Sequence, residues 1–406
     1  EKSKLPIMRM IDRYVGYYTP TILMIAALVW FFTRDVTRVI AVLVMACPCA
    51  LVIATPSAVI AAIAAAARLG ILIKDVAHIE LAARVRAVIF DKTGTLTQGK
   101  LEVARLKPAE GVELAELAHA AVSAESHSNH PAAQAMRHLA EEADLDWEEP
   151  SEFTEEAGRG VIATVAGDLV RVGRETWLRQ CGLDTAAALA DEAETEAPGM
   201  TRVFVARGNR VLGWIGLRDA IRDAAAPAVQ QLKELGVTRC ALFTGDNQAV
   251  ADIVGTKIGL TEIRAGCLPH EKVDFVEEVR ADGTLTAVVG DGVNDAPALA
   301  AGDIGIAMGS VGSDVAIQSA SVALMNNDLR RIPFFVRLSR QARGVMTQNL
   351  SIGLFFIVGG LYLSATGYLP PVAAAVIHSV SSLVILFNSA RLVRSGEELE
   401  TIPPVT

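Results

Sequence analysis

The sequence predicts α/β soluble domains flanked on both sides by transmembrane α-helices, and three observations carry that reading. Long apolar runs stand near both ends of the 406 residues, and short β-branched runs alternate with Ala-rich amphipathic stretches between them. Three of those short runs end at Asp-containing turns. Strands alternating with helices imply a parallel sheet with crossover connections, whose ligands sit beyond the carboxyl ends of the strands.

The membrane elements rest on composition and run length. Apolar residues make up 51% of the chain, and the mean hydropathy of +0.37 is high for a wholly soluble protein. From Tyr14 to Phe32 the chain is almost entirely apolar or aromatic, and after a polar break at Thr33 to Asp35 a second apolar run continues to about Ala67. Since about 20 apolar residues cross a bilayer, the second run can span and then continue beyond it. Pro48 should break its helix. A second pair is expected at Leu350 to Leu363 and Pro371 to Phe387, joined by Ser364 to Leu369, which gives four spans in all. Arg9, Arg13, Arg68 and Lys74 flank the first pair, and Arg340, Arg343, Arg391 and Arg394 the second, all on the side carrying the central insert. That side is therefore expected to be cytoplasmic, in an integral protein of the plasma (inner) membrane.

Charge and cysteine content narrow the function. A net charge of −9 gives no general basic field, so nucleic acid is not an expected partner. Five cysteines form neither a disulfide framework nor a zinc-finger spacing: Cys47 and Cys49 are separated by Pro48, and Cys181, Cys240 and Cys267 are scattered. The first residues lack the order of a signal peptide, and the start reads as a cut inside a longer protein.

Within the insert, AVIF at Ala87 to Phe90, CALF at Cys240 to Phe243 and TAVV at Thr286 to Val289 are the strands expected to bring acidic turns together. The stretch 100–216 reads differently, with helices over Leu114 to Glu142 followed by strands such as VIATVAG and LVRVG, and is expected to be a domain inserted into the first. The expected division is a helix pair at 1–75, one domain at 76–99 and 217–340, the inserted domain at 100–216, a helix pair at 341–394 and a tail at 395–406.

The turns carry the most specific signal. DKTGTLT at Asp91 to Thr97, TGD at Thr244 to Asp246 and GDGVNDAPAL at Gly290 to Leu299 occur in that order. This set resembles the P-type ATPases within the haloacid-dehalogenase superfamily. The resemblance implies a Rossmann-like phosphorylation domain at 76–99 and 217–340, an inserted α+β nucleotide-binding domain, and an aspartyl-phosphate formed on Asp91. Phosphoryl transfer needs positioning and neutralisation of spread negative charge. Asp91 is the expected nucleophile. Asp91, the backbone oxygen of Thr93 and Asp291 are the expected protein share of a Mg²⁺ shell, oriented by Asn294 and Asp295. Thr244 and the backbone at Gly245 can donate to phosphoryl oxygens. The resemblance gives Lys272 the role of neutralising cation and counts Lys92 and Asp246, inside the same motifs, among the catalytic residues. Related phosphatases carry Asp two residues after the nucleophile as general acid and base; Thr93 stands there in this chain, which should slow attack by water.

The segment ESHSNHP at Glu125 to Pro131 and the GRG at Gly158 to Gly160 are similar to the adenosine-binding constellation of the heavy-metal subgroup. The resemblance implies that Glu125 and His130 contact adenine and that Gly158 and Gly160 let the backbone approach the nucleotide; His127 is read as a bystander. Cys47-Pro48-Cys49 inside an apolar span is the mark of that subgroup: the proline opens the backbone where two thiols lie, and thiolates bind soft or borderline ions. The closing span has His378 where, by the resemblance, copper pumps carry Met and zinc pumps usually Asp, followed by Ser381 and Ser382. The preceding span lacks both the Tyr-Asn pair of the copper type and the Lys of the zinc type near Phe356 and Ile357. An imidazole beside the thiolates favours a divalent ion, zinc or cadmium first, then cobalt or manganese, with Cu⁺ as the alternative.

The implied activity is ATP-driven export of a heavy-metal cation, with ATP, Mg²⁺, the transported ion and the lipid bilayer as partners. No Thr-Gly-Glu motif of an actuator domain occurs in the 406 residues. That domain and earlier helices are expected in an N-terminal part of the same pump. The rival readings are a soluble haloacid-dehalogenase phosphatase, opposed by the flanking apolar runs and Thr93, and a membrane metal sensor or scaffold that keeps the motifs without turnover.

Overall fold

The computed structural model describes residues 6–156, 159–185, 200–246, 248–291, 295–309 and 319–397, with the side chains of 6–16 left aside. The chain divides into two compact units, one made of 1–90, 224–241 and 268–406 and the other of 91–223 and 242–267. It passes between them four times, after Phe90, Asp223, Ala241 and Cys267, the first and third of these within strands.

The first unit holds the apolar helices. Helix α1 (Pro6–Thr33) ends where Arg34 turns the chain with a positive φ of 54°, and α2 (Val36–Met45) starts behind Asp35, whose side chain accepts from the Thr37 amide. Helix α3 (Cys49–Arg68) follows directly, and after it come β1 (Ile71–Ile73) and α4 (Ala77–Ala82). At the other end stand two long helices, α12 (Arg331–Thr366) and α13 (Pro371–Ala390). Among the described residues, three stretches are long and apolar enough to cross a membrane: 36–68, 331–366 and 371–394. Tyr17–Thr33, the start of the expected four, is a shorter apolar helix. The apolar run at Leu350 to Leu363 is the later part of the longer helix α12. The polar residues before it continue the same helix, since arginine and glutamine are good helix formers.

The sheet of this unit runs in the order β1, β13, β12, β11, β2, β9. The strands are β2 (Ala87–Asp91), β9 (Arg239–Phe243), β11 (Thr286–Gly290), β12 (Ile304–Met308) and β13 (Val322–Leu324). β2, β11, β12 and β13 are parallel, and β1 is antiparallel on β13. β2, β11 and β12 are buried at every residue, as a parallel sheet covered on both faces requires. Helices α8 (Ala225–Glu234), α10 (Pro269–Ala281) and α11 (Ala296–Ala301) accompany it. In β2 and β11, Val289 lies opposite Phe90, so both strands end where their acidic turns begin.

The second unit is built on an antiparallel sheet in the order β3, β8, β7, β6, β5, β4. Its strands are β3 (Thr97–Pro108), β4 (Glu152–Glu156), β5 (Gly160–Val165), β6 (Asp168–Gly173), β7 (Thr201–Arg207) and β8 (Arg210–Ile221). Helices α5 (Leu114–Glu125) and α6 (Pro131–Glu142) cover one face, with Leu117, Met136, Val170 and Val205 in the shared core. Trp177 and Leu178 of α7 (Glu175–Gln180) join Phe204 and Trp214 in a second cluster. The helices expected over 114–142 are separated at ESHSNHP, where Pro131 can start a helix but not continue one. Helix α9 (Gln248–Ile258) and β10 (Glu262–Arg264) complete the unit beside the end of β9, where the Thr244 amide donates to the Arg264 carbonyl at 3.0 Å. An α/β architecture with long apolar helices, as the sequence predicts, is what forms.

Candidate active site and metal cluster

Asp91 is the last residue of β2 and only 5% exposed. The chain then reverses through Gly94, whose φ of 72° lies in the left-handed region that glycine occupies without steric cost. Thr97 closes this loop: its hydroxyl donates to the Lys92 carbonyl at 3.0 Å and lies 2.6 Å from Asp219 Oδ2. Arg222 holds the outer side, donating from Nε to the Thr95 carbonyl at 3.0 Å and from Nη2 to that of Gly94 at 3.1 Å. Lys92 Nζ pairs with Asp246 Oδ2 at 2.6 Å, and the Asp246 amide donates to Thr244 Oγ1 at 3.2 Å. Thr244 is buried, and its carbonyl accepts from Cys267. Lys92, Thr97, Asp219 and Asp246 line a cavity of about 540 Å³. Burial pushes the Asp219 carboxyl above its usual range, against the hydrogen bond from Thr97.

In the first unit, Lys272 of α10 reaches Asp295 at the start of α11, Nζ to Oδ1 at 2.7 Å. Asp295 is buried, and desolvation raises its pKa against the hydrogen bond and charge of Lys272, with Asp291 adding to the rise. Gly290 makes room for this carboxyl, since a Cβ there would stand 3.2 Å from Asp295 Cβ. Asp291 follows the end of β11. Asn294 and Gly158, two of the expected site residues, lie outside the described residues.

Glu125, His130 and Gly160, expected at a nucleotide, line a cavity of about 150 Å³ in the second unit together with Ser128 and Glu155 among others. Arg137 shapes the Glu125 to Ser128 turn by donating from Nη1 to the carbonyls of Glu125, Ser126 and Ser128 at 2.9 to 3.1 Å. The His130 Nδ1 accepts from the Ala132 amide at 3.1 Å, capping α6 and leaving Nε2 to carry the ring proton. Glu125 is 5% exposed, and its Oε2 has no hydrogen-bond partner among the described residues. Burial, then the charge of Glu155, push its pKa up to about 7. Gly160 is required by close approach, since a Cβ would collide with the Val172 carbonyl and stand 2.7 Å from Gly173 Cα. Asp219, Arg222, Arg137, Ser128 and Glu155 were not singled out in the sequence. Each is an ordinary polar residue at a turn or strand, and only the folded contacts distinguish it.

The third cluster lies among the apolar helices. Helix α2 ends at Met45 and α3 begins at Cys49, with Pro48 between them at φ −79° and ψ 17°. The Ala46 carbonyl accepts from the Tyr18 hydroxyl at 2.6 Å, which satisfies a group at the break. Cys47, Cys49 and His378 of α13 place their ligand atoms within 4.8 Å of one another. The two sulfurs are joined as a disulfide with a Cα separation of 5.5 Å, whereas the sequence reading makes them separate thiols. One residue between two cysteines at a helix break sets that spacing. Ser381 and Ser382 both turn their hydroxyls to the His378 carbonyl, at 2.7 and 3.4 Å.

Beneath this cluster the three helices share a buried polar contact. Asn349 of α12 donates from Nδ2 to the Ala54 carbonyl at 3.1 Å and to Ser389 Oγ at 2.8 Å, and its Oδ1 accepts from Asn388 at 2.8 Å.

A carboxylate at the end of a parallel strand, held by a glycine-turned loop and flanked by a lysine-aspartate pair, defines the class. The profile of the haloacid dehalogenase-like hydrolases matches residues 85–303, and the chain belongs to that family. The relatives it matches are named as heavy-metal-transporting ATPases. It is 38% identical to the manganese-exporting P-type ATPase of Mycobacterium tuberculosis over 97% of its own length and 55% of that protein's. It is 34% identical to a probable cadmium-transporting ATPase of Staphylococcus aureus, covering 97% of this chain and 56% of the other. With a probable copper-exporting P-type ATPase of Archaeoglobus fulgidus the identity is 39%, covering 99% and 50%. The crystal structure of a zinc-transporting PIB-type ATPase in the E2.Pi state matches with a TM-score of 0.83 at 37% identity, over 97% of this chain and 65% of that one. The chain thus spans about half the length of the curated relatives it matches.

Proposed function

We propose that this chain is the catalytic and ion-holding part of an ATP-driven pump that exports a divalent heavy-metal cation, zinc or cadmium first, then cobalt or manganese. The observation that carries the reading is the approach of Cys47, Cys49 and His378 among apolar helices in the same chain as the DKTGT carboxylate. Two sulfurs and an imidazole suit a borderline ion, whereas a soluble phosphatase has no use for them. The sulfur pair also suits Cu⁺, which keeps a copper pump as the second reading.

A carboxylate oxygen of Asp91 attacks the terminal phosphorus of ATP in line as the bond to the bridging oxygen breaks and ADP leaves, and the acyl phosphate stores free energy for a conformational step. Lys92 is fixed by Asp246 beside the nucleophile. Lys272, fixed by Asp295, supplies the cation of its turn. The hard oxygen donors Asp91, Thr93 carbonyl and Asp291 fit Mg²⁺, which would draw negative charge from the transferring group. Glu125 and His130 hold the adenine, and Gly160 admits it. Residues 76–99 with 217–340 act as the phosphorylation domain, 100–216 as the nucleotide domain, and both face the cytoplasm of a plasma-membrane protein. Hydrolysis of the phosphoenzyme is the work of an actuator domain in an N-terminal part of the pump.

Incubating the full-length pump with γ-labelled ATP tests this. An acid-stable, hydroxylamine-sensitive label should form and vanish in Asp91→Asn. A label that persists in that variant refutes the nucleophile, and a pump whose ATPase no metal ion stimulates refutes the transport reading.

A further inference from the structure

The chain carries a net charge of −9, yet four arginines surround one cavity of about 560 Å³ that no acidic side chain lines. Arg84 and Arg86 come from the segment leading into β2, and Arg340 and Arg343 from α12, with the turn 283–285 before β11 closing the floor. Two of the guanidiniums are anchored by carbonyls. Arg86 Nη1 donates to Gly236 at 2.9 Å, and Arg340 donates to Leu235 and, at 3.4 Å, to Val85. Carbonyls position a cation without neutralising it. None of the four makes an ion pair among the described residues, and the nearby carboxylate of Asp282 is turned to Arg239 at 3.6 Å.

We propose that this pocket binds a phosphate-bearing anion, and that its source is the head group of an anionic lipid. Planar guanidinium forks match phosphate oxygens two at a time, and like charges held together without a counterion are relieved by one. The apolar stretch of α12 begins at Leu350, which puts Arg343 about 10 Å along the helix from the hydrocarbon edge. A head-group layer several ångströms thick and a long, flexible arginine close that gap. Basic clusters at the end of a membrane helix draw anionic lipid for the same reason. A bound phosphodiester would tie α12 to the segment that starts β2, and β2 ends at Asp91.

The full chain, reconstituted in phosphatidylcholine nanodiscs with and without phosphatidylglycerol, provides the test, read by lipid retention in native mass spectrometry and by melting temperature. Phosphatidylglycerol should be retained and raise the melting temperature. R84Q/R343Q should weaken retention roughly 30-fold, about fivefold for each charge. R343Q alone, at an exposed position, should give an intermediate loss and serves if the double variant folds poorly. R391Q/R394Q removes the same charge elsewhere and should leave retention near wild type. If inorganic phosphate stabilises the wild type in plain phosphatidylcholine and R84Q/R343Q abolishes this while lipid has no effect, the anion site stands with a soluble source. Retention that R84Q/R343Q leaves intact, an equal loss in R391Q/R394Q, or no response to either probe overturns the proposal.

Discussion

Lys272 Nζ stands 2.7 Å from Asp295 Oδ1, and the carboxyl it meets is 98% withdrawn from water, at 2% side-chain exposure. Removing one partner of such a pair strands the other as an uncompensated buried charge, which costs about 3 kcal/mol or more. Lys272→Met should therefore lower stability by that order in denaturant unfolding, whereas Lys272→Met/Asp295→Asn, which strands no charge, should recover most of it. Both variants should lose phosphorylation from ATP. Equal stability of the single variant and wild type would show that the pair is not closed in solution.

Glu125 gives a pH dependence of defined sign. Its carboxyl titrates at about 7 in the folded chain against 4.5 for an ordinary glutamate, with burial the larger cause and Glu155 the next. A raised folded pKa means that stability from this group is fully present below about 4.5 and is lost as pH rises to about 7, where it levels off. The difference corresponds to roughly 3 kcal/mol. Glu125→Gln cannot ionise and should flatten this contribution, making the variant more stable than wild type at pH 8 by an amount that shrinks towards pH 5. Unfolding curves at several pH values check it; an unchanged pH profile rejects the buried, protonated carboxyl.

These two groups also show what the sequence could and could not say. Asp91, Thr244 and Asp291 were legible because they stand at the ends of apolar β-branched runs, and a strand's end is where a parallel sheet presents its chemistry. Helices over 114–142 were legible as well, and Pro131 marks where α6 starts. Glu155 and Asp219 carried no signal, since their meaning lies in partners 27 and 122 residues away, Ser128 and Thr97. The length of α12 was hidden for the opposite reason: hydropathy marks where a helix becomes apolar, not where it begins.

The cysteine pair and His378 come from segments more than three hundred residues apart, so their meeting can be broken from either side. In the full-length pump, His378→Ala should reduce stimulation of ATPase by Zn²⁺ and Cd²⁺ far more than any stimulation by Cu⁺, which two thiolates alone can hold. Cys49→Ala should abolish both. If His378→Ala leaves the order of ions unchanged, the imidazole is not a ligand.

Asn349 offers a last test, because it is fully buried and serves three helices at once: Ala54 on α3 and both Asn388 and Ser389 on α13. Hydrogen bonds between membrane helices contribute about 0.6 to 2 kcal/mol each, less than their setting suggests, because a separated helix finds other partners. Asn349→Leu deletes all three and leaves the Ser389 hydroxyl with Ser57 and the Ile385 carbonyl. The expected loss is about 2 kcal/mol, seen as easier unfolding in denaturing detergent, with a matching drop in affinity for the ion because Ala54 lies on the helix that Cys49 begins. Asn349→Asp keeps an acceptor for Asn388 but loses the donor to Ala54, and should fall between. Unaltered ion affinity in Asn349→Leu, together with reduced stability, would show that the contact fastens the helices without setting the position of the sulfurs.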